Sequence, residues 1–264
     1  MKFTLTENAN DSLRRAIRYF AENSPSGLKA SVKELVSALE LLVKEYLVLK
    51  DLDPTNPVLL YDRLKIGIDR SGARYVLTRV GLNTVTFDQA LERLDWIGHS
   101  IGKADVEQLK ALKRLRNAVE HLEIEASVPV VRTIFAAAMG FVFRFMEVYI
   151  QRRFLDTIDD TDWRTALLLE PELRNSAELS ARQVFSNLVA AEHRAIGVAT
   201  CASCGADCMI SYESYWGGYQ CVVCGFKHDV ETCYGCNRTV FLRELTETEG
   251  GTAMCDECVH KYYP

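Results

Sequence analysis

The sequence predicts a mainly α chain that ends in small β-rich modules, and three observations predict it. Apolar residues recur at helical spacing through the first 155 residues, with one interruption. All nine cysteines lie at or beyond Cys201. Within that region the pattern C-x2-C occurs four times, in two well-separated pairs. The organisation expected is a helical domain over 1–155, a helical connector over 156–200 and two cysteine modules over 201–264.

Leu13, Ala16, Ile17 and Phe20 keep the helical period, with Asn10 or Asp11 as the expected cap. Val32, Leu35, Val36, Leu39, Leu42, Val43 and Tyr46 mark a longer second helix that stops before the DPTNP turn at 53–57. Residues 59–85 are less regular, and Tyr75-Val76-Leu77 after Arg70-Ser71-Gly72 reads as a short hairpin. Thr86-Phe87-Asp88-Gln89 matches a capping box, in which Thr and Gln satisfy each other's free amides. It opens a helix carrying Leu91, Leu94 and Ile97. Helices over about 104–125 and from Pro129 to about Phe154 follow, then two more over 161–169 and 176–194.

The 264 residues are 48% hydrophobic and 25% charged, the proportions of a globular protein with a sizeable core. The formal charge of −5 comes entirely from 201–264, where four Lys/Arg meet nine Asp/Glu. A generally basic nucleic-acid face is not visible in these totals, and a local basic patch stays open. The N-terminal MKFTLTENANDSL has no apolar h-region. The greasiest run, TIFAAAMGFVF at 133–143, has eleven uncharged residues, where a bilayer span needs ~20. The expectation is a cytoplasmic protein with no membrane partner.

Cys201-x2-Cys204 and Cys221-x2-Cys224 are separated by 16 residues, and Cys233-x2-Cys236 and Cys255-x2-Cys258 by 18. Both fit a pattern for tetrahedral Zn²⁺, because a two-residue gap lets one tight turn aim two thiolates at one ion. A reducing cytosol favours metal over disulfides. Gly205, Gly225 and Asn237 each follow a second cysteine, where a left-handed residue relieves the turn. Met209–Tyr212 and Thr239–Leu242 read as strands between the pairs. The region resembles two tandem zinc ribbons, with these eight cysteines as ligands of two structural Zn²⁺ ions. Four-cysteine sites are closed, so no catalytic metal is expected. Replacement of Cys258 by His260 and an interleaved pairing stay open, and Cys208 reads as a small buried residue. The ligated thiolates add about −4, which disfavours binding of phosphate backbones by this module. Tyr212, Tyr215, Trp216 and Tyr219 either serve a protein partner, stack on bases, or fill the small ribbon core.

RLRNAVEHLE, at 114–123, places an Arg, an Asn and a His on a helix of otherwise ordinary amphipathic character. At ~100° per residue, Leu112, Leu115, Val119 and Leu122 form a stripe ~80° wide that faces a core. Arg116 lies ~80° from its centre, Glu120 ~120°, His121 ~140° and Asn117 ~180°. Asn117 and His121 therefore sit side by side on the outer surface. By periodicity alone, an Arg116–Glu120 ion pair beside a solvated His121 is the favoured reading of these residues over a site.

The same segment resembles the R-x4–6-H motif of HEPN-domain ribonucleases, in the form with a polar residue directly after the Arg. The surroundings are similar: a helical domain of about this length, with the motif on a late helix followed by another long one. ALELLVKEYL, at 38–47, also resembles the family's second helix, and its Glu40 and Lys44 read as an i,i+4 pair. Where many toxin members carry Tyr two residues after the His, this chain has Glu123. The resemblance covers roughly 8–155 and implies a HEPN-like bundle with metal-independent RNA cleavage, leaving a 2′,3′-cyclic phosphate and a 5′-OH. It implies His121 as general acid–base, Arg116 as phosphate clamp and Asn117 as an orienting group. It further implies a homodimer through the helical domain and a role as a toxin or in defence against foreign genetic elements. The rival expectation is a non-catalytic helical scaffold whose ribbons dock a protein partner.

Overall fold

The first helix starts at a cap that the apolar pattern does not mark. The computed structural model describes residues 4–51, 57–68, 75–121, 127–191, 200–212, 218–248 and 251–262. Helix α1 (Leu5–Ala21) opens at Thr4, whose hydroxyl accepts the Glu7 N–H at 3.1 Å while the Glu7 carboxylate accepts the Thr4 N–H at 2.7 Å. This reciprocal pair satisfies the first free amides upstream of Asn10 and Asp11, so both expected cap residues lie inside the helix.

Helix α2 (Pro25–Leu49) is the centre of the first unit, which spans Met1–Ala177. Ser24 caps it, Pro25 fits its first turn, and Leu28, Val32, Leu35, Leu39, Leu42, Val43, Tyr46 and Leu47 are all buried. Such wide burial marks a helix covered on several sides. It packs against α1, α3 (Phe87–Trp96), α4 (Lys103–His121) and α5 (Val128–Arg144). The α1–α2 turn is tight enough that a Cβ on Gly27 would lie 2.5 Å from the Tyr19 carbonyl oxygen.

Between α2 and α3, strands β1 (Leu64–Ile68) and β2 (Tyr75–Arg79) form the expected hairpin, with Ile66 opposite Leu77. Its turn, with Arg70-Ser71-Gly72, lies outside the described residues. The Thr86–Gln89 capping box opens α3 as the sequence predicts. Lys44 Nζ reaches Thr84 Oγ1 at 3.3 Å.

Helix α5 continues through a π-helical turn, Phe145–Ile150, and stops at Gln151, which adopts a left-handed φ of 58°. The helix thus ends short of the expected Phe154, because the Arg152 N–H folds back onto the Met146 carbonyl at 2.9 Å. The uncharged run of eleven is part of a continuous 23-residue helix, Val128–Ile150, long and apolar enough to cross a membrane by length and composition. Its Phe135, Met139, Val142 and Phe145 are buried in this unit. Helix α6 (Asp160–Leu169) packs on α1, and Trp163 meets Phe154 edge-on at 5.2 Å. Helix α7 (Pro171–Ala191) begins earlier than the expected 176, since Pro171 suits a first turn.

The second unit spans Glu178–Pro264. Strands β3 (Met209–Tyr212), β4 (Gly218–Cys221), β5 (Lys227–Thr232) and β6 (Thr239–Phe241) form one antiparallel sheet in that order. Strands β7 (Leu245–Glu247) and β8 (Ala253–Cys255) form a hairpin, and α8 (Asp256–Tyr262) closes the chain's described part. Because β5 pairs with β4 on one side and β6 on the other, a single sheet runs through both cysteine modules.

Candidate metal centres and the Arg116 helix

Tight turns position three of the four cysteine pairs. In each, the first cysteine's carbonyl accepts an N–H four residues on, from Gly205, Gly225 or Asn237, at 2.8 Å. All three donating residues have the expected left-handed φ, 72°, 74° and 57°. The fourth pair differs: Cys255 ends β8 and Cys258 lies on the first turn of α8.

These turns gather two quartets, Cys201, Cys204, Cys221 and Cys224, and Cys233, Cys236, Cys255 and Cys258. In each quartet the four sulfurs lie within 4.8 Å of one another. The pairing is sequential, and the exposed His260 stands outside both sets. A tetrahedral ion with bonds of about 2.3 Å requires sulfurs about 3.8 Å apart. The Cys201–Cys224 and Cys204–Cys221 separations are both 3.7 Å, and those from Cys255 to Cys233 and Cys236 are 3.6 and 3.9 Å. The residues therefore fit a tetrahedral metal ion, and with four protein ligands each site is closed to a reacting water.

The surroundings of the sulfurs are electrostatically specific. The Cys255 N–H donates to Cys233 Sγ at 3.3 Å and, as the largest influence, holds that thiol down at about 6, an acidity suited to a metal ligand. The Arg238 guanidinium, with Nε 3.3 Å from Cys236 Sγ, lowers the Cys236 thiol. Cys208 contrasts with both: burial pushes its thiol up to about 12, and it belongs to neither quartet. It is a small interior residue, as the sequence predicts. Gly235 allows the second quartet to close, since a Cβ there would lie 2.9 Å from both Cβ and Sγ of Cys258.

Two residues to which the sequence assigns no role at the metal touch the quartets, His228 reading there only as a surface or structural histidine. His228 Nε2 lies 3.3 Å from Cys201 Sγ, and Arg238 contacts Cys236. Their signal is local: His228 is the inward position of an alternating strand directly after a knuckle, and Arg238 follows Asn237. Of the four aromatic candidates, Tyr219 packs edge-on against Phe241 at 5.7 Å and serves the sheet. The Tyr212 side chain, Tyr215 and Trp216 lie outside the described residues.

In the helical unit, α4 turns Leu109, Leu112 and Leu115 inward, at 1%, 1% and 7% exposure. It is tied to α5 by Arg144 Nη2 and Asp105 Oδ1 at 2.6 Å. Asn117 is exposed and Arg116 half-buried, and Arg116 Nη1 donates to Asn117 Oδ1 at 3.1 Å. Both positions agree with the angular reading. His121 is the last residue of α4, and its imidazole, with the side chains of Val119 and Glu120 and residues Leu122 and Glu123, lies outside the described residues. Of the other histidines, His99 Nδ1 meets the Tyr46 hydroxyl at 3.2 Å, and His193 is outside the described residues. Comparison with family models, with characterised proteins and with solved structures finds no match for the chain.

Proposed function

We propose that this chain is a metal-independent endoribonuclease of the HEPN type, stabilised by two structural zinc ions and acting as a homodimer. The observation that carries the reading is the Arg116–Asn117 contact at 3.1 Å, which runs from the half-buried shoulder of α4 to the exposed Asn117 opposite its buried leucines. An exposed Asn held by a neighbouring guanidinium near a helix end that also carries His121 is the equipment for handling a phosphodiester. Arg116 binds the non-bridging oxygens, and planar N–H donors suit that contact. His121 takes the proton of the ribose 2′-OH as that oxygen attacks phosphorus, or, from the second subunit, gives one to the leaving 5′-oxygen. Asn117, one turn before His121, orients the ring or the backbone. The exposed position of Asn117 on α4 suits assembly about a two-fold axis.

Zinc is the ion that suits both quartets, because four thiolates at tetrahedral spacing favour a soft ion without a geometric preference of its own. The catalytic test uses the full, metal-loaded chain on single-stranded RNA. The wild type yields 2′,3′-cyclic phosphate ends, and His121→Ala and Arg116→Ala stay folded and yield none. A folded wild type that leaves RNA intact, and binds a protein partner equally well with His121→Ala, overturns the reading in favour of a scaffold.

A further inference from the structure

Among the described residues, each cysteine quartet meets a side-chain nitrogen from outside the ligand set. In the first centre all four cysteines are buried, and so is His228, at 6% exposure. Its ring stands between Phe226 and Phe241, at centroid distances of 4.8 and 5.1 Å, and directs Nε2 to Cys201 Sγ at 3.3 Å. His228 is not part of the quartet of ligand atoms, so it addresses one sulfur rather than the ion. In the second centre Cys236 is the one exposed cysteine. Arg238 covers it, with Nε 3.3 Å from Cys236 Sγ and Nη2 3.9 Å from Cys255 Sγ, while Nη2 also pairs with Glu257.

A tetrathiolate site around a divalent ion carries two net negative charges, and burying them is costly unless N–H groups meet the sulfurs. A metal-bound thiolate has no proton, so the nitrogen in each contact is the donor. A sulfur lone pair already engaged by an N–H is a weaker base, and ligand loss begins with attack on that lone pair. We propose that His228 and Arg238 are metal-positioning residues, donating N–H to Cys201 and Cys236 and so slowing departure of those thiolates from the ion. The proposal rests on both quartets holding metal.

The experiment measures zinc content of the full chain and then its transfer to the chromogenic chelator 4-(2-pyridylazo)resorcinol. The wild type releases two ions per chain slowly. His228→Phe keeps an aromatic ring between Phe226 and Phe241 but has no N–H, and speeds release of one ion by roughly tenfold or more. His228→Gln, which restores an N–H near the Nε2 position, recovers much of the wild-type rate. Arg238→Leu speeds release of the other ion only, and because Arg238 is exposed this variant tests the idea even if His228→Phe does not fold. In the cobalt-substituted chain, the thiolate-to-metal charge-transfer band moves to lower energy in His228→Phe and returns in His228→Gln, which a packing role alone would not produce. Two-ion chains that release both ions at wild-type rates in the Phe and Leu variants, with the cobalt band unmoved, overturn the proposal alone. A wild type without metal overturns the metal reading and the proposal with it.

Discussion

Glu45 and Arg152 meet inside the helical unit although 107 positions separate them, with Arg152 Nη1 donating to Oε1 at 2.8 Å and Nη2 to Oε2 at 3.3 Å. Thr6 adds a hydroxyl to Oε1 at 2.6 Å, so one carboxylate ties α1, α2 and the chain just beyond Gln151 together. Removing one partner leaves a largely buried charge alone. Glu45→Ala is expected to cost about 3–5 kcal/mol in denaturant unfolding, and Glu45→Leu with Arg152→Met together clearly less. A single substitution costing under about 1 kcal/mol would show the pair to be solvated.

Gly235→Ala places a methyl where Cys258 already sits, 2.9 Å from its sulfur. The expected result is a chain that keeps one tightly bound ion and loses the other. Native mass spectrometry reads the stoichiometry directly, and two retained ions would contradict the close approach.

On α4 the two faces separate stability from activity. Leu112→Ala removes a side chain with 1% exposure and is expected to cost about 2–5 kcal/mol. Asn117→Ala changes stability by within about 0.5 kcal/mol, as an exposed position should. If the proposed chemistry operates, RNA cleavage falls in Asn117→Ala while its unfolding midpoint stays put. The opposite ranking of stabilities would mean that the helix is rotated from the orientation described.

Glu147 gives a pH dependence with a definite sign. Burial holds its carboxyl above the ordinary carboxylate range, and the Phe154 N–H at 2.8 Å and Arg153 only partly oppose this. The folded state therefore binds the proton more tightly than the unfolded one. This group's contribution improves as pH falls through the raised value, levels off below about 4.5, and is a cost at neutral pH. Glu147→Gln keeps an oxygen for the Phe154 N–H and removes the charge. Thermal melts should show it more stable than wild type at pH 7, with the gap closing as pH approaches 4.5; a constant gap would assign the effect to packing.

Much of the local architecture was legible because it is encoded over a few residues. The Thr86–Gln89 box, the left-handed Gly205, Gly225 and Asn237 and the inward Leu112 and Leu115 all follow from short-range geometry. The apolar pattern places the start of the first helix too late. Apolar periodicity marks where a helix packs, and α1 begins at a polar capping box before its packed face does. The pattern also runs α5 on to Phe154, because a π-turn and a left-handed Gln151 leave no mark in apolar spacing.

By itself the sequence determined which cysteines form each quartet's turns and which face of each helix is apolar, since fixed spacing and period carry that information. Only the tertiary structure decided that the quartets pair sequentially and that β5 joins both in one sheet. The same holds for His228 and Arg238 against the sulfurs and for Glu45 opposite Arg152. Those relationships join residues whose separation in the chain has no period, and they exist only once packing has set which side chains are left to satisfy one another.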